Sequence, residues 1–237
     1  MNPVILVARR GDGGHRDELW RYARAWWQDL LPGVPIVEGF HAGPEPFSFS
    51  KAINAAYRTA VSELDFDVCV YAGADWLAAQ PRSVWQACTV AYAQSNLTFP
   101  HDHTAVLTEQ GTRRVLGGAA LADELRDAAW HTNTFSGIVA VARTAWETVG
   151  GFDERFTAWG FEDLCLWYAC TALCGYDRVQ GDLIHLWHPT DRTEREDNPN
   201  HGAQSVLWGR YRDVKTNPDG MRALLSEPGG PLAVTPA

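Results

Sequence analysis

Hydrophobic positions in the first third of the chain alternate between short apolar runs and segments with helical spacing. Residues 4–8 form an apolar run that predicts a buried strand, and residues 19–30 carry apolar side chains at helical intervals until Pro32 and Gly33 end the pattern. The alternation repeats as a strand at 34–39, a helix at 50–64 and a strand at 67–72. Strands that alternate with helices predict an α/β fold, with a mostly parallel central sheet flanked by helices.

The pattern continues less regularly towards the C-terminus. It predicts a helix from Pro81, strands at 97–99 and 134–142, helices at 143–149 and 161–174, a strand at 182–187 and a helix at 204–214. Residues 190–201 are rich in charge, Asn and Pro, which is typical of a surface loop. Residues 227–237 are expected to form a disordered tail, so one domain is predicted over residues 1–226.

Composition favours a globular protein. The apolar fraction is 46% of 237 residues, no apolar run is long enough for a membrane span, and the N-terminus lacks the basic region of a signal peptide. Five cysteines without a CxxC pair are expected as reduced thiols, which favours a cytoplasmic location. The net charge of −9 argues against a general nucleic-acid-binding surface, although several arginines cluster near the N-terminus.

The segment from Gly150 to Asp163 carries the most specific chemical signal. It reads GGFDERFTAWGFED: two glycines permit a turn with positive φ, and Glu162 and Asp163 fall where a helix can begin with acids in its first turn. An isolated Glu-Asp pair at this place is more often a helix start than a reactive group. A functional interpretation therefore depends on the complete segment from Gly150 to Asp163, and not on the Glu-Asp pair alone.

Other polar residues fall at the ends of predicted strands. Arg9 and Arg10 follow the first strand, Glu38 ends the second, Asp75 follows the third, and His185 and His188 end a later one. Ligands of open parallel sheets gather at this edge. The pattern thus brings cations, carboxylates and imidazoles to one rim.

The segment from Gly150 to Asp163 resembles the GGFDExFxxWGxED signature of metal-dependent nucleotide-sugar glycosyltransferases of the GT-A fold, in their inverting, galactosyltransferase-like branch. The resemblance implies that Asp163 takes the proton of the acceptor hydroxyl, with Glu162 binding the acceptor or the transferred sugar. It also implies that an acidic DxD motif after a buried strand holds the metal and the donor. This chain reads Gly73-Ala74-Asp75, so the metal-binding last acid is present and the first acid is missing.

A histidine after the WGxED helix serves as the second metal ligand in the family that the chain resembles. Residues at i and i+3 of an extended strand point to opposite faces, so His185 and His188 are not expected to bind one metal together unless the chain bends, and His185 is preferred. Carboxylate and imidazole ligands suit Mn²⁺ better than Mg²⁺. The expected cofactors are therefore Mn²⁺, with Mg²⁺ as the substitute, and a donor that is most simply a UDP-sugar.

Further positions match this family more loosely, and the resemblance implies contacts with the donor for them. Arg9 or Arg10 is expected at the nucleotide, Lys51 and Asn54 on one helix face towards it, Gly137 beneath the donor sugar and Trp159 stacked on a sugar ring. Simple solvation of a polar helix face explains Lys51 and Asn54 equally well. Residues 190–201 are interpreted as a lid over the bound donor.

The favoured function is therefore transfer of a sugar from a nucleotide sugar to an acceptor hydroxyl, with inversion. A glycan, a glycolipid, a protein and a modified nucleobase all stay open as acceptors. A nucleotide-sugar-binding module without catalysis is an alternative, because the first acid of DxD is missing. A metal-dependent nucleotidyltransferase or hydrolase is another, because it uses the same residue types.

Overall fold

The computed structural model describes residues 1–41, 47–157, 160–189 and 200–233. The strands are β1 (Pro3–Arg9), β2 (Ile36–Phe40), β3 (Val68–Gly73), β4 (Trp76–Ala78), β5 (Leu97–Phe99), β6 (His103–Val106), β7 (Ala129–Thr132), β8 (Ile138–Ala142), β9 (Tyr176–Arg178) and β10 (Asp182–His185). The helices are α1 (His15–Leu30), α2 (Phe49–Glu63), α3 (Pro81–Gln94), α4 (Glu109–Leu116), α5 (Leu121–Glu124) with the 3-10 turn Leu125–Asp127, α6 (Arg143–Val149), α7 (Glu162–Leu173), α8 (His201–Val214) and α9 (Pro218–Leu225).

The larger sheet has six described strands in the order β2-β1-β3-β8-β5-β9. The neighbouring pairs are parallel except where β8 runs antiparallel to both β3 and β5. Alternate residues of β1 face two hydrophobic cores: Val4 and Leu6 pack with α2, α6 and α7, whereas Ile5 and Val7 pack with α1 and α3. The predicted α/β fold with a mostly parallel sheet between helices is confirmed.

The smaller sheet has the order β4-β10-β6-β7, and the sequence pattern predicted only its central strand β10. Strand β6 and the helices α4 and α5, within residues 96–127, were not predicted because these elements are short and have few apolar positions. The strand predicted at 134–142 begins only at Ile138, since Asn133 and Gly137 have φ of 52° and 97° and interrupt extended backbone. In this sheet, His185 of β10 pairs with Trp76 of β4 and therefore lies near the end of β3.

The segment that precedes Glu162 turns as the sequence predicts. Gly150 and Gly151 have φ of 79° and 81°, and the Gly150 amide donates to the carbonyl of Trp146, which ends α6. Helix α7 begins at Glu162 after Phe161, which itself has φ of 73°. A non-glycine residue in this region is strained, and such strain is concentrated near functional sites.

The described part of the predicted tail, residues 227–233, packs against the rest of the chain, which differs from the expected disorder. Helix α9 precedes it where no helix was predicted. The Glu227 carboxylate pairs with Arg155 at 3.2 Å and with Arg210, and the Leu232 amide donates to the Leu225 carbonyl. These contacts fix the position of a segment whose composition alone is typical of a disordered terminus.

None of the described helices is long and apolar enough to cross a membrane. The five cysteines are free thiols, and only Cys174 is partly exposed.

Candidate active site

The structure brings Asp75, His185 and His188 together at the edge where β3 and β10 end. The link between β3 and β4 presents Asp75, whose Oδ2 lies 2.9 Å from Nε2 of His188 and 3.5 Å from Nε2 of His185. One ligand atom from each residue lies within 4.8 Å of the other two. The three side chains, called the Asp75 trio below, are partly buried.

Both histidines reach Asp75 because the chain bends after β10. The strand ends at His185, the Leu186 amide donates to the Asp75 carbonyl at 3.0 Å, and the Trp187 amide donates to Oγ1 of Thr112 at 2.8 Å. Extended strand geometry therefore ends three residues before His188, so strand alternation does not direct the His188 side chain away from Asp75. The preference for His185 alone does not describe this geometry.

Charges within the Asp75 trio stabilise each other. Burial would raise the pKa of Asp75, but hydrogen bonds and charge from His185 and His188 hold that pKa well below its usual range. Burial in turn lowers the pKa of His188, yet the bond to Asp75 outweighs it and the net pKa of His188 is raised. Asp75 is thus an anion at any physiological pH.

The donor set suits a divalent transition metal. Nδ1 of His188 lies 3.0 Å from the Pro189 carbonyl, and a proton on Nδ1 leaves Nε2 available as a ligand. One carboxylate and two imidazoles favour Mn²⁺ and later metals over Mg²⁺. Such a set leaves coordination positions for water or phosphate oxygens.

Glu162 and Asp163 occupy the first turn of α7 in a largely buried setting. Oε2 of Glu162 accepts the Gly160 amide at 2.9 Å, and Oδ1 of Asp163 is buried without a hydrogen-bond partner among the described residues. Burial raises the pKa of both carboxyls, the Glu162 charge raises the pKa of Asp163 further, and the Tyr71 hydroxyl partly offsets this. A carboxylate with a raised pKa and an unsatisfied oxygen is a strong proton acceptor.

Arg9, expected at the nucleotide, and Glu38, expected at the same ligand-binding rim of the sheet, pair with each other. Nη1 of Arg9 lies 2.9 Å from Oε2 of Glu38, Arg9 also pairs with Asp17, and Nε of Arg24 lies 3.5 Å from Oε1 of Glu38. Arg10 is exposed, and Lys51 is partly buried in the first turn of α2. The Arg9 guanidinium is therefore engaged in internal ion pairs rather than open towards a ligand.

Asn54 has a structural task in place of the predicted nucleotide contact. Its Nδ2 donates to the Phe152 carbonyl at 2.8 Å and to Oε1 of Glu154 at 3.0 Å, and its Oδ1 accepts the Phe152 amide at 3.0 Å. The side chain is buried. It is thus committed to the segment after Gly151, which corrects the prediction.

Replacing Asn54 by Ala is expected to lower the free energy of unfolding by about 2–4 kcal/mol, because the Phe152 amide and carbonyl lose their partner in a buried place. Urea denaturation followed by fluorescence would measure the change. Ser62→Ala on α2 is the control, since its hydroxyl bonds only to the exposed Thr59 carbonyl. An Asn54→Ala variant as stable as the control would contradict this role.

Gly137 and Gly73 both lie against Trp76. A Cβ on Gly137 would come within 2.7 Å of the indole, and a Cβ on Gly73 would come within 2.5 Å of Cδ1 of Trp76. The Gly73 amide also donates to the Gly137 carbonyl at 3.2 Å. The space predicted for a donor sugar at Gly137 is thus occupied on this side by the indole.

Three predicted features lie wholly or partly outside the described residues. They are Trp159, residues 190–199 of the predicted lid and residues 234–237 of the predicted tail.

Arg16 is a candidate functional residue that the sequence reasoning did not single out. His15 contacts Trp187 through Nε2 at 3.2 Å from its carbonyl, which fixes the first turn of α1 beside His188. Arg16 follows, and its charge lowers the pKa of His188. No carboxylate within the described ranges pairs with Arg16, unlike Arg9 and Arg24. Its place directly after a glycine-containing turn was the available sequence signal.

Comparisons with known proteins agree with this architecture. A family model described as the N-terminal domain of galactosyltransferase matches residues 119–171, which include the segment from Gly150 to Asp163. A mutant β-1,4-galactosyltransferase 7 from Drosophila, crystallised with manganese, UDP-Gal and xylobiose, superposes with a TM-score of 0.51 and 14% identity, covering 79% of this chain and 72% of that one. The GT-A fold and the resemblance predicted from the sequence are therefore confirmed.

A second similar structure is glucosyl-3-phosphoglycerate synthase from Mycobacterium tuberculosis in complex with Mn²⁺, UDP and phosphoglyceric acid. Its TM-score is 0.47 at 13% identity, covering 89% of this chain and 78% of that chain. No curated protein matches the chain significantly.

Proposed function

We propose that the protein is a metal-dependent glycosyltransferase that moves a sugar from a nucleotide sugar, most simply a UDP-sugar, to an acceptor hydroxyl. The Asp75 trio is the observation that carries the proposal, because it gathers one carboxylate and two imidazoles at the ligand-binding edge of a GT-A fold. The Drosophila relative was crystallised with manganese and UDP-Gal, which supports the same pair of ligands here.

The Asp75 trio would hold the metal. A divalent ion there supplies positive charge for the diphosphate as it leaves. Asp75 contributes the anionic ligand and remains ionised, and His185 and His188 contribute neutral nitrogen ligands once their hydrogen bonds to Asp75 are exchanged for the ion. Imidazole ligands favour Mn²⁺, and Mg²⁺ would bind more weakly.

Arg16 would provide a second positive charge for the diphosphate. Arg16 lies in the first turn of α1, its charge lowers the pKa of His188, and it has no carboxylate partner among the described residues, so its charge is available to a ligand. A guanidinium can bind phosphate oxygens in a bidentate manner. Arg16 would thus perform the task that the sequence assigned to Arg9 or Arg10.

Arg16→Ala is expected to weaken binding of UDP by about 10- to 100-fold, the range for losing hydrogen bonds to a charged group. Calorimetric titration of UDP in the presence of Mn²⁺ would measure it, and Arg16→Lys should retain part of the affinity. Arg21→Ala is the matched control on α1, because Arg21 is exposed and, within the described ranges, its guanidinium donates only to the Asp17 carbonyl. Equal UDP affinity in the Arg16→Ala and Arg21→Ala variants would contradict the assignment.

Asp163 would act as the general base. Because burial and the Glu162 charge raise the pKa of Asp163, this carboxyl must first lose its own proton. The ionised carboxylate would then accept the proton of an acceptor hydroxyl bonded to the unsatisfied Oδ1, as the hydroxyl oxygen attacks the anomeric carbon and the nucleoside diphosphate leaves. Glu162 would hold the acceptor or the transferred sugar with the oxygen not used by the Gly160 amide. A base that delivers the acceptor opposite to the leaving group produces inversion, which we propose for this enzyme.

The proposal leaves several acceptor classes in place: a glycan, a glycolipid, a protein or a modified nucleobase. We propose one GT-A domain over residues 1–226, to which the contacts of Glu227 and Leu232 join residues 227–233. From the five free thiols we propose a cytoplasmic location.

A panel of nucleotide sugars screened by thermal unfolding, with Mn²⁺ and with EDTA, tests the donor assignment. The correct donor at about 100 times its dissociation constant should raise the unfolding midpoint by about 5–10 °C with Mn²⁺ and much less with EDTA. No shift with any nucleotide sugar would contradict the proposal. Binding without turnover would favour the alternative of a non-catalytic binding module.

A further inference from the structure

Trp76 is the aromatic residue in closest contact with the Asp75 trio. It follows Asp75 directly and begins β4, where its Cα is the register partner of the His185 Cα on β10. Directly opposed residues of an antiparallel pair place their side chains on the same face of the sheet. The indole and the His185 imidazole stack with ring centroids 4.4 Å apart and an interplanar angle of 22°.

The two histidines of the trio are oriented in different ways. His188 has a partner for its second ring nitrogen, because Nδ1 lies 3.0 Å from the Pro189 carbonyl. Within the described part of the chain, His185 has no comparable hydrogen bond on its second nitrogen. Metal-binding histidines usually have such a partner, which fixes the ring orientation. The His185 ring instead contacts two rings: the stacked indole, and the His188 ring in a T-shaped arrangement with centroids 5.2 Å apart and an interplanar angle of 85°.

The indole also lies against backbone. Gly73 and Gly137 both lie against the ring, and a Cβ at either position would come closer than van der Waals contact allows. Gly137 also needs glycine for its φ of 97°, whereas Gly73 has no positive φ that requires it. The indole is thus the reason for a glycine at position 73.

We infer that Trp76 is a positioning residue that holds the His185 imidazole in the orientation needed for metal binding. The inference rests on the proposed metal site. It also explains the altered Gly73-Ala74-Asp75: an acidic side chain at position 73 and the indole of Trp76 exclude each other, so the chain has the indole where the first acid of DxD would extend.

The test is Mn²⁺ affinity, measured by the electron paramagnetic resonance signal of free Mn²⁺ in titrations of the full chain without donor. Trp76→Leu should bind Mn²⁺ about 10- to 100-fold more weakly, the range for loss of a group that orients a metal ligand. Trp76→Phe keeps an aromatic face and should retain most of the affinity. Trp85→Leu, on the exposed side of α3, is the matched control and should bind as the wild type does.

Thermal unfolding of the metal-free variants separates a positioning role from a folding defect. Where Trp76→Leu does not fold, Trp76→Met decides, because methionine fills more of the apolar space but has no ring to stack on His185 and should also weaken Mn²⁺ binding. Gly73 is left unchanged, because a Cβ there would also come within 3.0 Å of Oδ1 of Asp75.

The outcomes distinguish this inference from the proposed function. If the wild type binds no Mn²⁺, the proposed metal site is wrong and the inference falls with it. If the wild type binds Mn²⁺ and the folded Trp76→Leu or Trp76→Met variant binds it equally well, the metal site stands and the role of Trp76 is overturned. Equal losses in Trp76→Phe and Trp76→Leu would also overturn it, because stacking would then not be the cause.

Discussion

Replacing Asp163 by Asn is expected to lower kcat by about 10²- to 10⁴-fold, the contribution typical of a general base. The amide keeps the shape of the carboxyl but cannot accept the proton of the acceptor hydroxyl. Binding of the donor and of Mn²⁺ should change little, because the Asp75 trio and Arg16 are untouched. The measurement is transfer at saturating donor and acceptor, together with Mn²⁺-dependent binding of UDP.

Asp219→Asn is the matched control, since the Asp219 carboxylate is fully exposed on α9. Transfer by Asp163→Asn at the rate of this control would remove Asp163 from the mechanism. A large loss in donor affinity with unchanged kcat would instead place Asp163 in donor binding.

The same substitution should affect stability with a definite sign. Burial, with the charge of Glu162, raises the pKa of Asp163 well above its usual value. Folded protein then keeps a proton that the unfolded chain loses above about pH 4, so stability falls as pH rises above that point. Asp163→Asn should remove this contribution to the pH dependence and stabilise the metal-free protein at neutral pH relative to the wild type.

Disrupting the Asp75 trio is the second change with a large expected effect. Asp75→Asn removes the anionic ligand, and His188→Ala removes the histidine nearest to it. Each should abolish Mn²⁺-dependent binding of the nucleotide and reduce transfer to the level that the wild type shows in EDTA. The physical reason is that the charge of the ion neutralises the leaving diphosphate. Asp75, His185 and His188 form the only candidate metal-binding group among the described residues, so no second group can take over the ion.

Calorimetric titration of Mn²⁺ and then of UDP would measure both effects. His131→Ala is the control for removal of an imidazole, because His131 is exposed on β7. If Asp75→Asn retains wild-type Mn²⁺ affinity, the metal lies elsewhere. Adding Mn²⁺ back to EDTA-treated wild-type protein should restore transfer, whereas it should not rescue Asp75→Asn.

The sequence predicts much of the frame of the site because its signals are local. Gly150 and Gly151 indicate a turn, and the adjacent acids Glu162 and Asp163 indicate the first turn of a helix. Both features are present in the structure. The apolar run before Gly73 similarly predicts β3 and thus the position of Asp75. These features depend on backbone conformation and periodicity, which neighbouring residues determine.

The parts that sequence reasoning missed depend on tertiary contacts. His188 joins the trio because Thr112, on an unpredicted helix, bonds the Trp187 amide where β10 ends. Asn54 has the polar character of a ligand-binding residue, yet it bonds to a segment 98 residues away. Glycine at position 73, in place of the first acid of DxD, suggested a module without catalysis. Only the position of the Trp76 indole gives this glycine a structural reason.

Acceptor-dependent release of nucleoside diphosphate tests the central claim most directly. The protein is incubated with Mn²⁺ and its nucleotide-sugar donor, with and without acceptors from each class, and released diphosphate is counted against glycosylated product. The account predicts one nucleoside diphosphate per transferred sugar, only when an acceptor is present, and its loss in EDTA and in Asp163→Asn. Release that is independent of any acceptor, or that persists unchanged in Asp163→Asn, would contradict it.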